Sequence, residues 1–554
     1  MKNQQHQPHH THPSRRKRKS ESEANNASQS ADVGSNDPME AVLMLRAAAA
    51  AAASPARWRC FGEASLAGQG QPGVVRLGFA RRSSGAVRAR LGPARAHLSV
   101  EPRKDVTGAD QVDDEEEDAG AVTLFVGLPA DVVVSDGRAV NRPKAVSAAL
   151  RALKLLGVDG VEMPVSWAIV QPGSGDLFEW AGYVAVAGMV RDAGLSLRVS
   201  LNTDGAALPR WVAAPDALFT DRSGHRREGC LSFAVDELPV LAGKSPLEAY
   251  EAFFRSFADV FEDFFGSTIT DVTVSLGPNG ELRYPSYPPG RCGSGVGEFQ
   301  CYDKYMLARL KRHAESSGQP LWGLTGPHDG PRYDESPESS AFFREPGGSW
   351  KTEYGGFFLS WYTGELLGHG DRVLAAASRA FGGKPVELSA KVPLLHRSRP
   401  TEATAGLHGG YGPVAEMFAR HACTVIASGV EDAAGSSPAD ELLVRIKDAC
   451  SQHGARLAAE SVPFAVAKDG ARSTGAWAAL LTAERTRPCQ FTYQRMGAEF
   501  FSPAHWPQFV QFVRALECPE EVHEDDLPGA IDGGELLTVP SASEQGDARE
   551  VQTV

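Results

Sequence analysis

Short apolar runs alternate with amphipathic stretches through the middle of the chain, from about residue 122 to residue 516. The run 122–126 is apolar, β-branched and closed by Gly127, Leu128 and Pro129, which predicts a buried strand. The stretch 143–156 then repeats apolar residues at helical spacing. The pattern recurs along the chain, and the predicted strands are 122–126, 160–165, 196–201, 269–276, 322–324, 386–392, 424–427 and 456–459.

The alternation of these strands with helices predicts a (β/α)8 TIM barrel of the α/β class, with long strand-to-helix loops. The predicted helices are 143–156, 180–193, 247–265, 370–381 and 439–453. Active sites of such barrels lie on the loops at the carboxyl ends of the strands. Residues just beyond the predicted strands are therefore the candidates for function.

Two glutamates stand at such positions. Glu281 lies in the segment 276–288, LGPNGELRYPSYP, which follows the fourth predicted strand and places the carboxyl group among Gly, Pro, Tyr and Arg. Glu460 ends the last predicted strand, in LAAESVP. Two carboxyl groups that meet at the mouth of a barrel suit glycosidic cleavage, because one protonates the leaving oxygen and the other activates water. Either glutamate alone is more often an ordinary loop carboxylate.

The composition limits the kinds of binding partner that are expected. The net charge of −13 disfavours nucleic acid and anionic membranes as main partners and suits a neutral ligand. No apolar run approaches the roughly 18 residues of a membrane span. The eight cysteines are scattered without a CxxC pair, which favours reduced thiols over a disulfide framework or a zinc site. We expect no metal and no cofactor.

The ends of the chain differ from its middle. Residues 1–38 are rich in Gln, His, Ser and Asn and are expected to be a disordered gene-model extension upstream of a start at Met39. Residues 39–104 are Arg-rich and acid-poor, as in a plastid transit peptide. Residues 105–120 form an acidic linker, and 121–516 form the barrel domain. Residues 517–554 are expected to be an acidic disordered tail, and the chain is expected in the chloroplast stroma.

The middle of the chain resembles the plant β-amylases, glycoside hydrolase family 14, most of all their divergent plastidial members with weak or no activity. The segment 276–288 carries the resemblance most specifically, and further matching strings are LGVDGV (156–161), GEFQCYDKY (297–305), FFLSWY (357–362), KVPLLH (391–396) and TYQR (492–495). By that likeness Glu281 is the general acid and Glu460 the general base of an inverting 1,4-α-glucan maltohydrolase. Lys391, His396 and Arg495 match residues that bind the glucan. For Lys391 and Arg495, a charge-pairing role at the barrel rim remains the alternative.

The sequence departs from that family in the substrate cleft. Pro164 and Ser166 stand where the family has an aspartate and a tryptophan, although Trp167 is kept. Asn202 replaces a histidine, and most of the Gly-rich lid loop that follows it is missing. Arg397 and Ser398 replace a tryptophan pair after His396, and the inner loop at 426–429 lacks the family's threonine.

Three functions remain open on the sequence. The chain is expected to act in starch catabolism as a weak or inactive, regulatory β-amylase-like protein that binds an α-1,4-glucan or maltooligosaccharide and has a protein partner. The second reading is a fully active exo-hydrolase that releases maltose. The third is a nuclear regulator, for which the basic cluster 15–19 gives little support because residues 1–120 lack the apolar periodicity of a DNA-binding domain.

Overall fold

The computed structural model describes residues 122–205, 207–288, 295–395, 399–430, 438–462 and 481–517. The strands within these ranges are β1 (Thr123–Gly127), β2 (Gly160–Ser166), β3 (Ser196–Asn202), β4 (Leu218–Thr220), β5 (Arg226–Leu231), β6 (Ile269–Val274), β7 (Glu387–Pro393), β8 (Cys423–Val430), β9 (Leu457–Ser461) and β10 (Gln490–Tyr493). The α-helices are α1 (Pro143–Leu156), α2 (Trp167–Val170), α3 (Ala181–Ala193), α4 (Pro246–Val260), α5 (Lys304–Ser316), α6 (Glu353–Phe381), α7 (Arg399–Thr404), α8 (Gly412–Arg420), α9 (Pro438–His453) and α10 (Trp506–Glu517).

Eight of these strands close into a parallel barrel in the order β1-β10-β9-β8-β7-β6-β3-β2. The remaining two, β4 and β5, form a separate antiparallel hairpin that the apolar pattern did not predict. The (β/α)8 barrel is therefore confirmed. It places the ends of β6 and β9 three strand positions apart, with β7 and β8 between them.

One predicted strand was wrong. The run 322–324 is not a strand, because Pro320–Gly323 forms a 3-10 turn after α5, and Leu321 before the run and Leu324 at its end are exposed. The eighth barrel strand is instead β10, which pairs with β1 and β9 and closes the barrel. A run of three apolar residues is too short to separate a strand from a turn by periodicity alone.

The helices form an apolar shell around the barrel. Helix α4 begins with a capping box, in which the Ser245 hydroxyl accepts from the Glu248 N–H and the Glu248 carboxylate accepts from the Ser245 N–H. Its buried face carries Phe253 and Phe257 and packs against α6. Within the described ranges, no helix combines the length and apolar character needed to cross a bilayer.

The interior of the barrel is charged rather than apolar. At the level of β3 and β6, the buried Arg198 guanidinium lies 3.3 Å from Asp271 and donates to Thr492 at 2.8 Å. Nearer the carboxyl ends of the strands, Glu162, Lys391 and Glu460 form a second buried cluster. Charged groups inside a protein are stable only when they are paired and hydrogen-bonded, so these layers fix how the inward-facing side chains are arranged.

Candidate active site

The segment that carries Glu281 leaves β6 through a tight turn. Gly277 has φ 150°, and a Cβ there would lie 2.8 Å from the Glu281 carbonyl oxygen. Asn279 has φ 60° and Gly280 has φ 81°, in the left-handed region that Asn and Gly adopt at least cost. The sequence Gly-Pro-Asn-Gly thus turns the chain sharply and brings Glu281 back over the end of the barrel.

Backbone bonds then hold this segment against the neighbouring strand. The Leu282 N–H donates to the Lys391 carbonyl at 2.8 Å, and Glu281 and Lys391 form an isolated parallel bridge. Tyr284 stacks on Tyr362 with ring centroids 3.8 Å apart. The Glu281 side chain is 12% exposed, and its Oε2 lies 2.5 Å from the Arg283 Nε. Glu281 is therefore a nearly buried carboxylate whose position is fixed by its own backbone.

Glu460 is the second-last residue of β9, lies inside the barrel and is bound by three donors. Its Oε2 lies 2.7 Å from the Lys391 Nζ and accepts from the Gln494 amide at 3.0 Å. Its Oε1 accepts from the Ser428 hydroxyl at 2.8 Å. Because Lys391 bonds Glu460 through its side chain and the Glu281 segment through its backbone, β7 links the two glutamates.

A third carboxylate, which the sequence analysis missed, belongs to the same cluster. Glu162 lies in the middle of β2 and is fully buried. Its Oε1 lies 3.3 Å from the Lys391 Nζ and accepts from the Ser200 hydroxyl, and its Oε2 accepts from the Gln494 amide. The available signal was a charged residue within an otherwise apolar strand, since such a residue needs a partner.

Charge pairing sets the ionisation of this cluster. Burial by itself would raise the pKa of Glu162, but Lys391, Arg495, the Ser200 hydroxyl and Arg198 outweigh burial and lower that pKa to about 2. Burial would likewise lower the pKa of Lys391, and the carboxylates of Glu162 and Glu460 instead raise it above its ordinary value. Glu162 is therefore an anion and Lys391 a cation at neutral pH.

The buried polar atoms without a hydrogen-bond partner among the described residues include two on neighbouring residues after β10. They are the Gln494 Oε1, an acceptor, and the Arg495 Nη1, a donor. Gly127, at the end of β1, leaves the space for them, because a Cβ there would lie 2.4 Å from that Gln494 oxygen. An adjacent acceptor and donor suit a ligand that carries hydroxyl groups.

The structure brings most of the sequence-predicted residues together. Glu281, Glu460 and Lys391 are joined by the contacts above, and Arg495 is close enough to act electrostatically on Lys391 and Glu162. His396 lies outside the described residues. The pairing of Lys391 with two carboxylates fits the charge-pairing alternative for that residue.

The segment after β3 is bound to the barrel rather than extended over it. The Asn202 amide donates to the Ser200 carbonyl at 3.3 Å, and its Oδ1 would be 3.5 Å from a Cβ at Gly280. The Asp204 carboxylate accepts from the Ser275 hydroxyl, and burial raises the pKa of Asp204 to about 6. These inward contacts tie the segment to the ends of β3 and β6.

Trp167, which the resemblance keeps in place, has a packing role in this structure. It is 1% exposed, its indole donates to the Gln171 amide oxygen at 2.7 Å, and its ring meets Trp211 edge-on at 5.6 Å. Its exposed area is too small to provide a stacking surface for a sugar ring.

A cavity of about 670 Å³ lies away from these residues, between the turn of the β4–β5 hairpin and the loop before α6. Its lining includes Arg222, Glu298, Asp329 and Tyr333, but none of the predicted site residues. Within the described ranges, no three His, Cys, Asp or Glu side chains are grouped as metal ligands. The carboxylate cluster, rather than the cavity, therefore locates the candidate site.

The chain is a closed parallel barrel, and its acidic side chains converge at the carboxyl ends of the strands. These features place it in the class of (β/α)8 barrel proteins whose site resembles that of an enzyme. The sequence profile of glycosyl hydrolase family 14 matches residues 125–520. The chain belongs to this family, the β-amylases.

Individual relatives align with most of the chain. It is 45% identical over 450 residues to inactive beta-amylase 9 of Arabidopsis thaliana, covering 76% of this chain and 83% of that protein. It is 38% identical over 483 residues to the chloroplastic beta-amylase 2 of Oryza sativa subsp. japonica, covering 79% and 85%. The crystal structure of the catalytic domain of beta-amylase from Paenibacillus polymyxa superposes with a TM-score of 0.58 at 22% identity, covering 71% of this chain and 98% of that one. This superposition supports the fold.

Proposed function

We propose that the chain is a plastid β-amylase-like protein of starch catabolism that binds α-1,4-glucan ends and hydrolyses them weakly or not at all. The observation that carries this proposal is the link through Lys391. Its side chain bonds Glu460 while its backbone bonds the segment of Glu281. Two carboxyl groups linked through one lysine suit the acid and base of an inverting glycosidase.

In this reading Glu281 is the general acid and Glu460 the general base. Glu281 would protonate the glycosidic oxygen. Glu460 would take a proton from the attacking water on the opposite face of the sugar. Lys391, Arg495 and His396 would bind glucan hydroxyls. The Arg495 Nη1 and the Gln494 Oε1, which have no partner among the described residues, would offer a donor and an acceptor.

The residues of the substrate cleft are an argument that turnover is weak. Pro164 has no carboxylate to bind a sugar hydroxyl, and Ser166 has no ring to stack on one. Asn202 and Asp204 tie the segment after β3 to the barrel, where the family has a closing lid. A lid excludes water and orients the substrate, and orientation alone contributes about 7–11 kcal/mol to lowering a barrier. A protein that binds glucan with little turnover can regulate starch breakdown through a partner protein.

The plastid location draws on two observations. Several relatives carry "chloroplastic" in their names, among them beta-amylase 1 of Arabidopsis thaliana at 37% identity. Residues 39–104 have the Arg-rich, acid-poor composition of a transit peptide. These residues lie outside the described ranges. The proposed domain boundaries at 38, 104, 120 and 516 follow from the same changes of composition.

The experiment that tests this function measures maltose release from soluble starch by the purified chain at high enzyme concentration. We expect a rate far below that of a fully active β-amylase, and we expect Glu281→Gln to abolish it because an amide cannot protonate the leaving oxygen. Glu365→Gln, which alters a carboxylate paired with Arg309 on the helical shell, is the matched control and should leave the rate unchanged.

Each of the other outcomes would contradict a specific part of the proposed function. A rate comparable to that of active β-amylases would favour the fully active exo-hydrolase, for which the retained glutamate pair is the supporting observation. Equal maltose release by Glu281→Gln would assign the hydrolysis to another group or to a contaminant. Absence of both hydrolysis and maltooligosaccharide binding would overturn the glucan function.

A further inference from the structure

Glu162 has no role in the chemistry described so far, although it is completely buried in the middle of β2. A carboxylate inside a barrel is destabilising unless nearby groups compensate its charge and fill its hydrogen bonds. Its neighbours do both. Lys391 supplies the opposite charge at 3.3 Å, and Ser200 and Gln494 donate hydrogen bonds.

The same two donors also bind Glu460. The Lys391 Nζ lies 2.7 Å from Glu460 and 3.3 Å from Glu162. The Gln494 amide nitrogen donates to Glu460 at 3.0 Å and also to Glu162. The ammonium and the amide therefore bridge two carboxylates that come from β2 and β9.

The number of N–H donors on Gln494 and Lys391 shows how strongly the bridge between the two carboxylates depends on Glu162. A side-chain amide has two N–H donors, and both of those in Gln494 are used, one for each carboxylate. This fixes which way the amide is turned and directs its oxygen, which has no partner among the described residues, away from the carboxylates. An ammonium has three donors, and two of those of Lys391 serve the carboxylates of Glu162 and Glu460.

We propose that Glu162 is a positioning residue of the candidate site, which sets the orientation of Glu460 through Lys391 and Gln494. Glu162 shares both donors with Glu460 and thereby prevents them from closing onto Glu460 alone. The expectation that the site binds a sugar rests on the proposed function, whereas the positioning of Glu460 does not.

Glu162→Gln is the direct test because it keeps the shape and removes the charge. Whichever way the new amide is turned, its NH2 group faces either Lys391 and Ser200 or the NH2 group of Gln494. Donor then opposes donor, so either Lys391 or Gln494 must move, and Glu460 with it. Glu162→Asp keeps the charge and should give an intermediate result.

Ser389→Ala is the structural control. Ser389 lies in β7 inside the same barrel, where its hydroxyl bonds Thr273 at 2.8 Å, and it is not among the contacts of Glu162 or Glu460 described above. Its replacement should lower stability without moving the carboxylate cluster. It therefore separates a general loss of packing from a specific effect on Glu460.

The measurements are crystal structures of the wild type and the three variants, together with maltotriose affinity by calorimetry. We expect Glu162→Gln to displace the Glu460 carboxylate and weaken maltotriose binding at least about tenfold, since contacts to charged groups are involved. Ser389→Ala should do neither. Glu460, Lys391 and Gln494 unmoved in a folded Glu162→Gln variant would overturn the positioning role. A wild type that fails to bind maltotriose would overturn the glucan function, while the crystal structures would still decide the role of Glu162.

Discussion

At the scale of single residues, the candidate site is a chain of charges that compensate one another. Arg198 pairs with Asp271 in the lower layer of the barrel and also acts on Glu162 above it. Glu162 and Glu460 then share Lys391. Removal of one partner from such a buried set leaves the others uncompensated, and breaking a buried pair costs about 3–5 kcal/mol. Individual substitutions here should therefore have large effects.

The low pKa of Glu162 makes its contribution to stability depend on pH. The folded-state pKa of about 2 lies below the ordinary value of 4.5, so the contribution is present above about pH 4.5 and is lost as pH falls toward 2. Its size is roughly 3 kcal/mol, from about 1.4 kcal/mol for each pKa unit.

We therefore predict that the difference in unfolding free energy between the wild type and Glu162→Gln narrows as pH falls from about 6 to about 3. Urea unfolding at several pH values measures this difference. The deficit of Ser389→Ala, which adds or removes no titrating group, should stay constant over the same range. A deficit of Glu162→Gln that did not change with pH would contradict the assignment of Glu162 as a buried anion.

At the scale of elements, two connections decide the form of the site. The turn after β6 depends on Gly277 and Asn279 and brings Glu281 back to the bridge with Lys391. The segment after β3 is bound to the end of β6 through the contact between Asp204 and the Ser275 hydroxyl. The first connection fixes the position of the Glu281 carboxylate, and the second fixes that of Asp204 beside the end of β6.

We predict that replacing residues 202–207 by the family's His and Gly-rich loop, together with Pro164→Asp and Ser166→Trp, raises turnover of starch well above tenfold. Each restored contact contributes on the order of 1–3 kcal/mol, and the lid adds water exclusion. Pro164→Asp alone should do little, because a single contact cannot close the cleft. A folded combined variant without any gain would mean that the two glutamates are not aligned for catalysis.

At the scale of the whole molecule, closure of the barrel assembles the site from distant parts of the chain. Gln494 and Glu162, which share a hydrogen bond, are 332 residues apart, and Lys391 and Glu162 are 229 apart. The pairing of β1 with β10 is what brings the last strand to the first.

We predict that a fluorescent fusion beginning at Met39 colocalises with chloroplasts, because the Arg-rich, acid-poor stretch is then N-terminal. Microscopy in leaf cells, with a fusion that begins at Val122 as the control, measures this. The control should remain outside chloroplasts. Nuclear fluorescence from the Met39 fusion would instead support the nuclear alternative.

The sequence by itself determined the repeating strand–helix architecture, seven of the eight barrel strands and the positions of Glu281 and Glu460 at strand ends. These follow from local periodicity and turn chemistry, which neighbouring residues encode. Only the tertiary structure identified β10 as the strand that closes the barrel, and only it placed Glu162 and Gln494 beside Glu460. Those contacts join residues hundreds of positions apart, so no local pattern contains them. A buried charge reveals that a partner exists, but barrel closure decides which residue that partner is.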